Sequence, residues 1–153
     1  MTTTGRIQLA LNVADLDEAV RLYRDVFRTE PTKRRPGYAN FAIADPPLKL
    51  VLFENPDAVS PLNHLGVEFN SSAEVAAAAE RFAATGLPHS QSTTERCCHA
   101  VQDKVWVSVP DVPLGAWEFY TVLADDVDYE GADAPTCCVS TSTDAGTCCG
   151  PAA

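Results

Sequence analysis

Arg6-Ile7-Gln8-Leu9-Ala10-Leu11-Asn12-Val13 and His64-Leu65-Gly66-Val67-Glu68-Phe69 are two copies of one pattern. In the first, Ile7, Leu9, Leu11 and Val13 alternate with Gln8, Ala10 and Asn12, the period of a strand with one face on a core. In the second, Leu65, Val67 and Phe69 alternate with His64 and Glu68. A helix-start signal follows each copy at the same distance. Asp15-x-x-Glu18 begins seven residues after Gln8, and Ser71-x-x-Glu74 begins seven residues after His64. Leu16, Ala19, Val20, Tyr23 and Phe27 then form an apolar stripe at helical spacing. Val75, Ala79 and Phe82 do the same in the second half, where Gly86 supplies the stop.

Working outward, each helix is followed by three extended segments. Residues 31–35, 38–44 and 48–54 are divided by Pro36-Gly37 and by Asp45-Pro46-Pro47, which are breakers. Residues 88–94, 98–109 and 116–123 take the corresponding places in the second half. The reading is an α+β fold of two βαβββ modules, about 6–54 and 63–124, within one domain spanning 1–130. One helix covers one face of each module's strands, so the uncovered faces are free to form a shared cleft. Residues 131–153 are poor in large apolar side chains and read as a flexible, Cys-containing tail.

Composition narrows the partners. A formal net charge of −10 over 153 residues repels nucleic acid and anionic membrane surfaces. The N-terminus has neither the basic nor the apolar region of a signal peptide, and no apolar run is long enough to span a bilayer. The expected location is the cytoplasm, where thiols stay reduced. A small molecule is the expected partner, and the oligomeric state is left open, a homodimer included.

Strand parity picks out three side chains for the cleft. If Leu9, Leu11 and Val13 pack on the helix, Gln8 faces the cleft, and the repeat puts His64 in the matching slot. In Trp117-Glu118-Phe119, Glu118 lies opposite the two aromatic residues. An amide oxygen, an imidazole and a carboxylate make a facial donor set that suits Fe(II), Mn(II), Co(II) or Ni(II) and leaves positions open. The first-half counterpart of Glu118 falls near Lys49, which is no ligand while charged, so three protein ligands are expected rather than four.

The six cysteines add a second theme, because all occur as neighbours: Cys97-Cys98, Cys137-Cys138 and Cys148-Cys149. Adjacent cysteines make strained disulfides. They serve better as a dithiol gripping one soft centre such as trivalent arsenic, cadmium, zinc or copper(I).

Two βαβββ modules with donors on the first strand of each and on the last strand resemble the vicinal oxygen chelate superfamily, which includes glyoxalase I and extradiol dioxygenases. Within it, Leu9-Ala-Leu-Asn-Val13, the segment 35–43 (RPGYANFAI), Leu48-Lys-Leu-Val-Leu52, Leu62-Asn-His-Leu-Gly-Val67 and Cys97-Cys98 followed by Ala100-Val-Gln-Asp-Lys-Val-Trp-Val107 resemble the ArsI/CadI group. That group contains arsenic–carbon lyases. The resemblance implies a non-haem Fe(II) enzyme that uses O2 to break the carbon–arsenic bond of methylarsenite or trivalent aromatic arsenicals, releasing arsenite. On this chain it implies that Cys97 and Cys98 hold the arsenic while Gln8, His64 and Glu118 hold the iron. Lys104 is the candidate for favouring thiolate or stabilising negative charge on reduced oxygen. His99, Gln102, Asp103 and Tyr38 are candidates for the pocket wall. Two positions depart from the group's pattern: Gln8 stands where His is usual, and His99 where Tyr is usual. The competing expectation is a non-catalytic thiol protein that sequesters cadmium or arsenite. Glyoxalase-type isomerisation explains neither the missing fourth ligand nor the dithiol.

Overall fold

The structure, a computed structural model, describes residues 5–97, 99–110 and 116–125. The chain runs β1 (Gly5–Val13), α1 (Leu16–Phe27), β2 (Lys33–Arg35), β3 (Tyr38–Ile43) and β4 (Leu48–Glu54). The same order then repeats as β5 (Leu62–Phe69), α2 (Ser72–Thr85), β6 (His89–Cys97), β7 (Ala100–Ser108) and β8 (Ala116–Asp125). The tail assigned to 131–153, with Cys137-Cys138 and Cys148-Cys149, lies outside the described residues.

Both helices start where the capping signals put them. The Asp15 carboxylate accepts from the Glu18 N–H at 2.9 Å, and the Ser71 hydroxyl accepts from the Glu74 N–H at 3.4 Å. The second cap is reinforced by Glu74, whose carboxylate takes the Asn70 N–H and the Ser71 hydroxyl. Glu18 turns instead to Arg21. Gly86 closes α2 at φ 70, a left-handed conformation that costs glycine little.

All eight strands form one mixed sheet in the order β2-β3-β4-β1-β5-β8-β7-β6. The two modules therefore share a sheet rather than facing each other as two. The seam is the antiparallel pair β1 and β5, flanked on each side by a parallel neighbour, β4 or β8. Gln8 pairs with Gly66 and Ala10 with His64, so a pseudo-twofold through the seam exchanges Gln8 with His64.

The core divides by face as alternation predicts. α1 packs with Leu16, Ala19 and Val20 onto Ala39, Phe41, Ile43, Leu50 and Leu52, joined by Leu9, Leu11 and Val13. α2 packs with Val75, Ala78, Ala79 and Phe82 onto Val105 and Val107, with Phe69, Trp117 and Phe119 alongside. Each fully buried Phe or Leu contributes about 1.5–3 kcal/mol of transfer free energy, enough to hold the two helices on the same side of their strands. The other face of the sheet is left to line a cleft.

Three details of β6 and β7 differ from the sequence reading. β6 extends to Cys97, three residues beyond the segment 88–94, because a bulge absorbs the break: the ladder shifts between Ser92 and Glu95, and Thr94 sits at φ 53. Asp103 supports that bulge by accepting the Thr94 N–H at 2.8 Å, so its carboxylate serves the bulge rather than the cleft wall. Finally, β7 begins at Ala100, and Cys97 pairs directly with Ala100.

Candidate functional site

The cleft-facing positions of β1, β5 and β8 bring Gln8, His64 and Glu118 together. Gln8 Nε2 lies 2.9 Å from His64 Nε2 and 3.0 Å from Glu118 Oε2, and the last two atoms are 3.1 Å apart. All three side chains are buried. They form a triangle from three separate strands that parity and the repeat had already selected. Glycine at 66 makes room for it: a Cβ there would stand 2.7 Å from the Glu118 carbonyl oxygen and 3.3 Å from Gln8 Nε2.

A chain of amides fixes the imidazole. Asn12 Nδ2 donates to the Ser60 carbonyl at 3.0 Å, which leaves Asn12 Oδ1 to accept from Asn63 Nδ2 at 2.9 Å. Asn63 Oδ1 then faces His64 Nδ1 at 2.7 Å and can only accept, so Nδ1 carries the proton. A neutral imidazole in that tautomer presents the Nε2 lone pair to Glu118 Oε2, two acceptors 3.1 Å apart with the Gln8 amide beside both. Turning the amide about its last bond presents Oε1 in place of Nε2, and the cluster becomes three lone-pair donors converging on one point. That donor set fits a divalent cation.

Glu118 is charged throughout the neutral range. Burial opposes its ionisation most strongly, yet the attraction of its neighbours, chiefly the Lys104 ammonium, outweighs burial and holds the carboxyl at about 2. Lys104 is fully buried, with Nζ 3.2 Å from Glu118 Oε1 and 3.6 Å from Glu95 Oε1. It is therefore not an exposed strand lysine, and it meets the site from behind the carboxylate. The twofold counterpart of Glu118 is Val51: Gly66 pairs with Glu118 as Ala10 pairs with Val51. An aliphatic side chain at that place, two residues from Lys49, leaves the triangle without a fourth donor from the first half. Burial lowers the Lys49 pKa, opposed by Glu68 at 3.9 Å.

A cavity of about 180 Å³ opens beside the triangle. Tyr38, Asn40 and Gln102 line it along with Gln8, His64 and Glu118. Two residues that follow the vicinal cysteines in the chain, His99 and Ala100, bear on the same space. Ala100 lines it, the His99 ring stands 5.4 Å from the Tyr38 ring, and Lys33 Nζ donates to the His99 carbonyl at 2.9 Å. Lys33 also pairs with Asp125, whose carboxyl that hydrogen bond holds below its ordinary range. Strands from opposite ends of the sheet are thus tied across the cleft next to His99, which sits at φ 63. Cys97 is the last residue of β6, and Cys98 lies outside the described residues.

The sequence reading missed Asn12, Asn63, Asn40 and Lys33. Asn12 shared a face with Gln8, and Asn40 shared one with Tyr38, so parity could have found both. Asn63 and Lys33 act through contacts across the fold that spacing does not reveal.

The glyoxalase/bleomycin resistance protein/dioxygenase superfamily model matches residues 5–111. The chain belongs to that superfamily. Among its relatives in the superfamily, the cadmium-induced protein CadI of Mycobacterium tuberculosis is 56% identical over 121 residues, covering 79% of this chain and 78% of that one. A trivalent organoarsenical cleaving enzyme from Thermomonospora curvata is 48% identical over 135 residues, covering 88% of each. Among solved structures, homoprotocatechuate 2,3-dioxygenase from Arthrobacter globiformis superposes with a TM-score of 0.54 at 22% identity, covering 79% of this chain and 36% of that one. This last likeness concerns the fold. Among the described residues, no helix is long and apolar enough to cross a membrane.

Proposed function

We propose that this superfamily member is an Fe(II)- and O2-dependent lyase that cleaves the carbon–arsenic bond of trivalent organoarsenicals in the cytoplasm. The observation that carries the proposal is the convergence of Gln8, His64 and Glu118 on one buried point, beside a cavity lined by Ala100 and by Tyr38, whose ring is 5.4 Å from that of His99. The relative named a trivalent organoarsenical cleaving enzyme supports the substrate class.

Gln8, His64 and Glu118 would hold the metal, with Ni(II), Co(II) or Mn(II) as possible substitutes for iron. Bound Fe(II) with open positions supplies the means of activating O2. The protein's own residues do the rest. Cys97 and Cys98 hold arsenic as a dithiolate and aim the carbon–arsenic bond at the cavity, and holding reactants in a reactive pose is worth several kcal/mol of barrier. Asn63 and Asn12 keep the proton on His64 Nδ1, so Nε2 stays a donor to the metal. Lys104 acts on the site through Glu118, holding it ionised and oriented. For methylarsenite the overall change balances without another reductant: CH3As(OH)2 and O2 give formaldehyde and As(OH)3. Carbon loses the four electrons that O2 takes up, and arsenic remains trivalent.

A second reading, thiol-based sequestration of cadmium or arsenite, is favoured by the 56% identical cadmium-induced relative. Turnover separates the two. With Fe(II), methylarsenite and air, the lyase releases many equivalents of arsenite per chain, measured by arsenic speciation. A sequestering protein stops at its binding stoichiometry, and that result would exclude the lyase.

The relay behind His64 gives a further expectation. Asn63→Ala frees Nδ1, and loss of such an orienting partner weakens metal binding by about 10- to 100-fold. Calorimetric titration of the metal-free protein with Co(II) checks this. Unchanged affinity would remove Asn12 and Asn63 from the account.

A further inference from the structure

The cavity wall carries an ammonium group that the protein itself pairs incompletely. Lys49 lines the cavity with a side chain only 12% exposed, and among the described residues its Nζ makes no hydrogen bond. Its one ion pair is with Glu68 Oε1 at 3.9 Å, and the other oxygen of that carboxylate is taken by Arg6 Nε. A carboxylate shared between two cations compensates neither in full. Burial works against the Lys49 charge more than any other influence on it. A ligand that brings its own negative charge and a hydrogen-bond acceptor removes that cost.

The local charge balance points the same way. Glu68 and Asp125 favour the ammonium, whereas Arg6 and Lys33 oppose it. With Lys49 itself, three cations face two carboxylates, so one positive charge is in surplus within a chain whose formal net charge is −10. Glu118, another carboxylate of the cavity wall, has its own counterion in Lys104 at 3.2 Å. The fold does not call for this cluster. The pseudo-twofold that exchanges Gln8 with His64 carries Arg6 to Leu62, Glu68 to Asn12 and Lys49 to Ala116, so the same backbone positions in the other half hold no charge. Charge in one copy of a repeated architecture serves the site rather than the sheet. Val51, Phe53 and Val122 add apolar surface to the same wall.

We propose that Lys49 anchors an anion subsite in the cavity, taking a short-chain monocarboxylate whose carboxylate meets the ammonium and whose alkyl end lies against Val51, Phe53 and Val122. A singly charged ligand matches the one surplus positive charge. A cavity of about 150 Å³ takes up benzene, so about 180 Å³ holds an acid of a few carbon atoms. The subsite goes beyond the lyase reading and does not depend on it. A carboxylate bound there occupies the space beside the triangle and competes with any other small molecule that enters.

The test compares acetate with its neutral isostere acetamide by saturation-transfer NMR, on the full chain freed of metal with a chelator so that metal ligation does not contribute. Acetate is expected to bind more tightly than acetamide by about tenfold or more, the worth of one charge-assisted hydrogen bond. Lys49→Met keeps the length of the side chain and removes its charge, and acetate affinity is expected to fall by that same factor. Lys49→Arg is expected to keep acetate binding, which separates loss of charge from disturbed packing. Equal binding of acetate and acetamide by the unsubstituted protein, unchanged acetate affinity in Lys49→Met, or loss of acetate binding in Lys49→Arg overturns the inference. Neither iron nor an arsenical enters the measurement, so its failure leaves the lyase reading standing, and absence of turnover leaves the subsite standing.

Discussion

Glu118→Ala is expected to abolish turnover and to unsettle the fold, whereas Glu118→Gln abolishes turnover with the fold less disturbed. The carboxylate has two tasks, and the two substitutions separate them. As a donor beside Gln8 and His64 it supplies the one negative charge in the triangle, which neither an amide nor a methyl group replaces. As the partner of Lys104 it balances an ammonium that has no exposure to solvent. Removing one member of a buried ion pair costs up to about 3–5 kcal/mol because the other charge loses its compensation, and here the Glu95 carboxylate at 3.6 Å retains part of it. Replacing both with apolar groups is often neutral, so Glu118→Leu combined with Lys104→Met should recover most of the stability lost in Glu118→Ala. Chemical denaturation and arsenite release, measured on the same three proteins, check both halves. A double variant no more stable than Glu118→Ala would remove Lys104 as the reason for the loss, and unimpaired turnover in Glu118→Gln would remove the carboxylate from the metal site.

The second large effect belongs to the thiols. Cys97→Ser and Cys98→Ser each leave arsenic with one sulfur from this segment. Losing one arm of a two-point attachment lowers affinity by on the order of 10²- to 10⁴-fold, because the second bond had formed at high effective concentration. Binding of phenylarsenite, followed anaerobically by loss of free thiol, is expected to weaken by that amount in either variant. Metal binding should remain, since neither cysteine is assigned to the triangle. If both single variants keep full affinity, the tail pairs Cys137-Cys138 and Cys148-Cys149 hold the arsenic, and the cavity loses its substrate anchor.

Much of this site was legible in the sequence because a strand's period is two. Once Leu9, Leu11 and Val13 were assigned to the helix side, Gln8 had to face the other way, and the repeat carried the same inference to His64. Trp117 and Phe119 did so for Glu118. What remained hidden depended on register and on side-chain reach. A lysine on a strand reads as solvated, and only the carboxylates of Glu95 and Glu118, on the strands to either side, explain how Lys104 is fully buried. The break after residue 94 read as a strand end, since nothing local announced that Asp103 on β7 would hold Thr94 in a bulge and let β6 continue to Cys97. The amide relay through Asn12 and Asn63 depends on a shift in the β1 and β5 ladder between Ala10 and Leu11, which composition cannot encode.

The same geometry bears on whether the neutral amide of Gln8 can serve in the proposed metal site. Gln8 lies within 3.0 Å of both other donors, so proximity is not the difficulty. In the proposed metal site its cost would be weaker donation, and the charge on Glu118 and the oriented Nε2 of His64 would carry more of the affinity.

Diffraction from crystals grown anaerobically with Fe(II) and phenylarsenite, with anomalous data at the iron and arsenic edges, tests the arrangement most directly. The account predicts iron on Gln8 Oε1, His64 Nε2 and the Glu118 carboxylate, and arsenic on the sulfurs of Cys97 and Cys98, with the ring in the cavity between them. Iron bound elsewhere, or arsenic held on sulfurs that do not face that cavity, would contradict it.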